Sequence, residues 1–195
     1  MAKWSFEVAT WTPVAVADTA NFTINGYMAM QGVSTTQRFD ITEVYMGGQA
    51  TSSAPTYMIL ARDSTVGATV STSAGIGFSN GSLDPASYPQ ASSVCFTSST
   101  TIPQRSATLG KLNLTLNAFG GIVRWVAPPG GEFKMLGLAA SFGETSLSAF
   151  TGGTPGALGS HIIYETFLLP ILGTATALLT LIFSSDLVGL SALIA

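Results

Sequence analysis

His161 is the only histidine in the chain, so charge-relay hydrolysis would have to run through it, with a serine and an acid brought in from elsewhere. It lies in Ser160-His161-Ile162-Ile163-Tyr164, which has the composition of a strand, and a structural or surface role fits it better. One histidine and one cysteine cannot close a zinc site, and the ten carboxylates form no calcium loop of the DxDxDG type. No metal or other cofactor is expected. Cys95, being alone, can make no intramolecular disulfide and reads as an inert buried thiol. The glycines of Gly152-Gly153-Thr154-Pro155-Gly156 lead into a proline where a phosphate-binding loop needs a helix turn bearing Lys, so they read as a turn. A glycosidase pair of carboxylates is a three-dimensional property, and the acids here are scattered singly. The expectation is a protein that is not an enzyme, in which His161, Cys95 and Glu144 are each dispensable for chemistry.

Composition points the same way. Only 9% of the 195 residues are charged, while 24 Thr, 22 Ser and 21 Gly supply most of the polar surface. With 47% hydrophobic residues and a net charge of −3 the chain has enough apolar matter to fold. The basic residues Lys3, Arg38, Arg62, Arg105, Lys111, Arg124 and Lys134 are dispersed, and the pI is near 4.9, which argues against nucleic acid as a partner. The opening MAKWSFEVATW has no apolar core of a secretory signal, so synthesis in the cytoplasm is expected, and the sequons at Asn21, Asn80 and Asn113 read as coincidence.

The elements that would position such residues are strands. Lys111-Leu-Asn-Leu-Thr-Leu-Asn117 alternates with period two, placing Leu112, Leu114 and Leu116 on a buried face. Further strands are expected at 3–9, 27–31, 38–46, 56–62, 121–127, 144–150 and 161–165. Asn25-Gly26, Gly47-Gly48, Asn80-Gly81, Pro128–Gly131 and Gly152–Pro155 read as turns. The Ser/Thr-rich stretch 63–101 is expected as long surface loops with one strand near 94–97. Met28, Met30, Tyr45, Met46, Tyr57 and Met58, with Trp4, Trp11 and Trp125, are expected in or beside the core. The whole predicts an all-β body, an antiparallel sandwich or jelly roll, over residues 1–165. A carbohydrate-binding or hydrolytic sandwich would need aromatic and acidic side chains gathered on the surface, which linear order does not reveal.

Residues 166–195 form an apolar C-terminal extension. From Phe167 to Ala195 there is one charge, Asp186, and Phe167, Leu168, Leu169, Ile171, Leu172, Leu178, Leu179, Ile182 and Phe183 are the expected partner-docking residues. Length favours a helix, while Gly173 and the threonines leave a strand open over 176–183. The twenty uncharged residues 166–185 are just long enough to span a bilayer, yet basic flanks are absent and Ser184-Ser185-Asp186 interrupts the run. Packing on the same domain or a neighbouring subunit is the better reading.

Arg105-Ser-Ala-Thr-Leu-Gly-Lys111-Leu-Asn-Leu, Gly120-Gly121-Ile-Val-Arg124-Trp125 and Ser148-Ala-Phe-Thr-Gly-Gly-Thr-Pro155-Gly together resemble a group of small virion structural proteins of tailed bacteriophages and prophages, over residues 1 to about 165. The resemblance implies a head decoration or cement protein on the capsid surface, bound to the major capsid protein and to copies of itself as a homo-oligomer, and made in the host cytoplasm. It carries over no catalytic residue. A membrane-anchored surface protein using the apolar extension as its span is the alternative.

Overall fold

The computed structural model describes residues 2–71, 79–84, 93–138 and 142–168. In chain order the strands are β1 (Ala2–Trp11), β2 (Ala15–Val16), β3 (Tyr27–Gly48), β4 (Pro55–Thr56), β5 (Met58–Thr65), β6 (Ala68–Ser71), β7 (Ser79–Ser82), β8 (Ser93–Phe96), β9 (Ser98–Thr101), β10 (Gln104–Arg105), β11 (Lys111–Asn113), β12 (Leu116–Asn117), β13 (Ile122–Val126), β14 (Phe133–Leu138), β15 (Glu144–Phe150) and β16 (Leu158–Leu168). The body is all-β, and every pairing between these strands is antiparallel except a two-residue match of β2 with the end of β15.

β3 organises the body. Its first residues pair with β8 on one side and β15 on the other, and β15 in turn pairs with β5, which carries β10 and β11 at its far edge. Its second half pairs with β13 and β14 on one side and with β16 on the other, followed by β1 and β7. Met28 and Met30 from the first half and Phe39, Ile41, Val44 and Met46 from the second belong to one buried cluster with Phe6, Leu60, Leu147, Ile162 and Tyr164. The two halves therefore close on each other as the layers of a sandwich.

Two irregularities keep those residues inward. Between Leu136 and Leu138 of β14, the facing strand advances from Arg38 back to Val33, so β3 bulges at 34–37 and its inward parity switches. Gly137 sits in that bulge, where a Cβ would lie 1.9 Å from the Gln37 carbonyl oxygen. A second shift opposite Ile163 and Tyr164 leaves Thr42 without a register partner in β16 and returns the even-numbered residues Val44 and Met46 to the core.

Several expectations are corrected. Residues 27–31 and 38–46 belong to a single strand. Gly47-Gly48 and Asn80-Gly81 lie in strands β3 and β7, not in turns; at Gly48 a Cβ would stand 2.2 Å from the Ala118 oxygen, so close backbone approach is what selects glycine there. The 63–101 stretch holds the expected strand at Ser93–Phe96, and β6, β7 and β9 besides. Leu114 and Leu116 are buried and Leu112 packs on the core as the alternation requires. The strand itself breaks after Asn113, because the Asn113 side chain accepts the Thr115 N–H. β16 continues to Leu168, past 165, with Phe167 opposite Arg38.

Candidate functional site

Of the expected docking residues, Phe167 and Leu168 lie in β16, the Phe167 ring beneath the Arg38 guanidinium at 4.8 Å. Leu169, Ile171, Leu172, Leu178, Leu179, Ile182 and Phe183 lie outside the described residues. Among the described residues no helix is long and apolar enough to cross a membrane.

His161 projects from the outer face of its sheet. Its ring stacks on Tyr45 with centroids 5.1 Å apart, and its Nε2 is 3.2 Å from Glu43 Oε1. Arg124 grips the same carboxylate with Nε and Nη2 at 3.0 and 2.9 Å, and its hydrogen bonds, reinforced by His161, hold the Glu43 carboxyl below its ordinary range against the opposing effect of burial. This is an acid clamped by two donors, without a serine beside the imidazole among its described contacts. Cys95 is buried on β8, and desolvation pushes its thiol far up, which keeps it protonated and unreactive.

The other basic residues are also engaged. Lys3 pairs with Glu165, Arg38 and Lys134 with Asp40, and Arg105 and Lys111 with Asp18, while Arg62 lies between the rings of Phe133 and Phe142.

The densest chemistry is internal, and sequence reasoning missed it. Register places Gln31 of β3, Glu144 of β15, Asp63 of β5 and Arg105 of β10 in one row across four neighbouring strands. Glu144, Asp63 and Arg105 are completely buried. The row lies on the face of β15 opposite the main core, along with Ser146 and Ser148. The segments 12–26 and 96–106 cover that face through a second cluster of Phe22, Tyr27, Ala29 and Phe96. Only the apolar setting of Glu144 at the head of a strand, and of Asp63 in Ile59-Leu-Ala-Arg-Asp63, could have hinted at it.

Glu144 accepts hydrogen bonds from Gln31 Nε2 at 2.7 Å and from the Gly67 N–H at 2.9 and 3.0 Å. Asp63 Oδ1 accepts from Ser146 Oγ at 2.7 Å, while its Oδ2 is buried and receives no hydrogen bond. Burial first, and the neighbouring Glu144 next, push the Asp63 carboxyl well above its ordinary value. Burial also pushes Glu144 up to about 7, though the donors from Gly67 and Gln31 favour its ionised form. Asp63 is thus the neutral member of the pair and Glu144 the one that holds the donors. Arg105 is sandwiched at 5.5 Å from both the Phe22 and Phe150 rings, giving Nη1 to Asp18 at 3.1 Å and Nη2 to Ser148 Oγ at 2.7 Å and the Ala149 carbonyl at 3.0 Å. Burial by itself would raise the Asp18 carboxyl; the bonds from Lys111 and Arg105 outweigh it and hold it low. Desolvation pushes the Tyr27 phenol up to about 12 despite its contact with Ser99 at 3.1 Å. With no exposed atom, this carboxyl pair cannot meet a substrate in the present conformation; it ties four strands and their covering segments together.

No group of three or more His, Cys, Asp or Glu among the described residues is placed to hold a metal ion. Compared with protein-family models, curated proteins and solved structures, the chain matches none.

Proposed function

We propose that the chain is a virion structural protein, a decoration or cement protein that binds capsid subunits and its own copies from outside, and that its C-terminal apolar segment is the docking element. The observation that carries this reading is where the segment starts. β16 is flanked by β3 and β1 as far as Thr166, so the opening residues of the apolar run, Thr166, Phe167 and Leu168, lie at the end of an interior strand of the sheet. Leu136 lies in the row of Arg38 and Phe167, and Val33 and Phe142 border the same end; all three are large apolar side chains about half exposed. Apolar surface beside an apolar extension is what an interface sealed on assembly requires. The pairing of every basic residue with a carboxylate or an aromatic ring favours protein over nucleic acid as the partner.

Mass spectrometry of gradient-purified particles tests the reading directly, with the chain expected at fixed stoichiometry to the major capsid protein. A variant ending at Leu168, which keeps all of β16, is expected to stay folded and to lose most particle binding. Absence from particles despite abundant expression, or carbonate-resistant membrane association lost on that truncation, would overturn the proposal, the latter in favour of a membrane anchor.

A further inference from the structure

The body carries an open groove that the assembly reading does not use. It has a volume of about 430 Å³ and is lined by Tyr57, Ile59, Asn113, Thr115, Phe150 and Thr151. Register explains the grouping. Asn113 of β11 stands opposite Ile59 of β5, and the Phe150 N–H of β15 donates to the carbonyl of Tyr57, just before β5, so these residues, with Thr115 just after β11, form two successive rows. This is the face that Arg105 and Phe22 cover further along, with Arg105 lying over Phe150 from the covered side. Gly152, at φ +121°, seats the Tyr57 ring; a Cβ there would be 2.9 Å from Tyr57 Cε2, so both the backbone and the space exclude a side chain. The ring is held yet 39% of the residue is exposed.

The lining specifies its ligand by what it offers and what it lacks. It contains no Asp, Glu, Lys, Arg or His, so a charged ligand would lose hydration without gaining a counter-charge. Two aromatic rings and an isoleucine supply apolar faces. The polar groups are oriented: Asn113 Oδ1 accepts both the N–H and the hydroxyl of Thr115, at 3.0 and 2.6 Å. That fixes the amide, leaving Asn113 Nδ2 as a donor with no described protein acceptor and the Thr115 oxygen lone pairs as acceptors. Thr151 adds a hydroxyl able to do either. A purely apolar ligand would cover these groups without pairing them. Apolar C–H faces alternating with hydroxyls that both give and take hydrogen bonds, with no net charge, describe a sugar ring, and the volume falls within the roughly 300–1,000 Å³ of small-molecule sites. The geometry points to a binding site for a neutral carbohydrate, stacked on Tyr57 and Phe150 and oriented by Asn113, Thr115 and Thr151. The groove lies near the start of β16, where the Gly156 N–H donates to Thr56 Oγ1 beside Tyr57. Ten residue steps of strand, roughly 33 Å, separate the start of β16 from Leu168, in the opening of the apolar run. A docked protein would therefore present the groove away from its docking end.

The test uses the full chain and defined probes: neutral gluco-, manno- and galacto-configured hexasaccharides, with sialyllactose as the anionic comparison and phenol as the apolar one. Saturation-transfer NMR and calorimetry are expected to give saturable, weak binding of at least one neutral oligosaccharide, in the millimolar range usual for an open site of this size. Tyr57→Ala and Asn113→Ala should each weaken it about ten-fold or more, whereas Tyr57→Phe keeps the ring and most of the affinity. Leu83→Ala, on a different surface, should leave it unchanged. Circular dichroism of the variants confirms the fold. No saturable binding of any neutral probe at about 10 mM, equal affinity in Tyr57→Ala, or preference for sialyllactose or phenol would each overturn the assignment. Because the measurement is made on free protein, failure here leaves the particle-binding test standing, and the reverse also holds.

Discussion

Asp63→Asn should gain stability relative to the wild type as pH rises. In the folded state Asp63 keeps its proton because it is buried against Glu144, whereas in the unfolded chain it loses that proton near its ordinary value of 3.8. Above about pH 5 the native state therefore holds one more proton than the unfolded state at this position, and stability falls with rising pH by about 1.4 kcal/mol per pH unit for as long as the proton stays. Glu144 acts in the same direction. Its rise from 4.5 to about 7 corresponds to roughly 3 kcal/mol present at pH 4 and gone above pH 7. Asparagine copies the protonated aspartate: its Oδ1 can accept from Ser146 and its Nδ2 can donate toward Glu144, without any proton to lose. Its second N–H adds a cost that is the same at every pH, so the slope, not the offset, is diagnostic. For a chain of this length 1 kcal/mol is about 2–4 °C in Tm, which predicts a gap between variant and wild type that widens by about 3–6 °C per pH unit above pH 5 for as long as Asp63 keeps its proton. Urea and thermal unfolding at four pH values would measure it. A wild-type stability that is flat or rising above pH 5, or a variant curve parallel to the wild type, would refute the account in which Asp63 keeps its proton on folding.

Below pH 4 the sign reverses. Asp18 and Glu43, held low by their cationic partners, contribute stability that is present above their unfolded values and is lost as pH falls through the folded ones, so an acid limb should appear that Lys111→Met weakens. Leu114→Ala should cost about 2–5 kcal/mol, whereas Asn113→Ala, one residue away and exposed, should change unfolding by less than about 1 kcal/mol. Arg105→Ala should be among the most destabilising single substitutions, at about 3–5 kcal/mol, because it strands Ser148 and the Ala149 carbonyl beneath the covering segments and leaves Asp18 with Lys111 alone; chemical denaturation would show it, and a loss under 1 kcal/mol would mean that the guanidinium is not the tie it looks like. His161→Ala and Cys95→Ser should leave particle binding near that of the wild type if the fold survives.

The strands of the body were readable where one face is apolar and the other wet, as in 111–117, or where a β-branched and aromatic run is bracketed by turn residues, as in 144–150. Those signals failed at β3, because Ser34-Thr35-Thr36 looks like a loop and in fact forms the bulge by which one strand serves two layers. They failed again at Gly48 and Gly81, where glycine marks strand positions and not reversals. The acid pair was invisible for a different reason. Gln31, Asp63, Arg105 and Glu144 come from four separate stretches, and only strand register sets them in line; a single misplaced residue in any of those pairings would send its side chain to the opposite face. The groove depended on the same register, together with a turn glycine whose partner ring lies far off in sequence.

β16 occupies the middle of its sheet, between β3 and β1, yet it is the last strand of the described body to leave the ribosome. Until residues 158–168 emerge, β1 has no neighbour on that side and the apolar faces of Trp4, Phe6, Phe39 and Ile41 have no completed layer to close upon. At synthesis rates of about 5–20 residues per second the nascent chain spends several seconds with two open strand edges facing each other across a missing one. The topology thus makes folding of this layer wait for its last strand, an event of high contact order exposed to intruding strands from neighbouring chains. A trigger-factor-type holdase, or rapid capture by an assembling particle, would matter most in that interval, and chains terminated anywhere before 158 should accumulate as aggregates instead of as a smaller stable body.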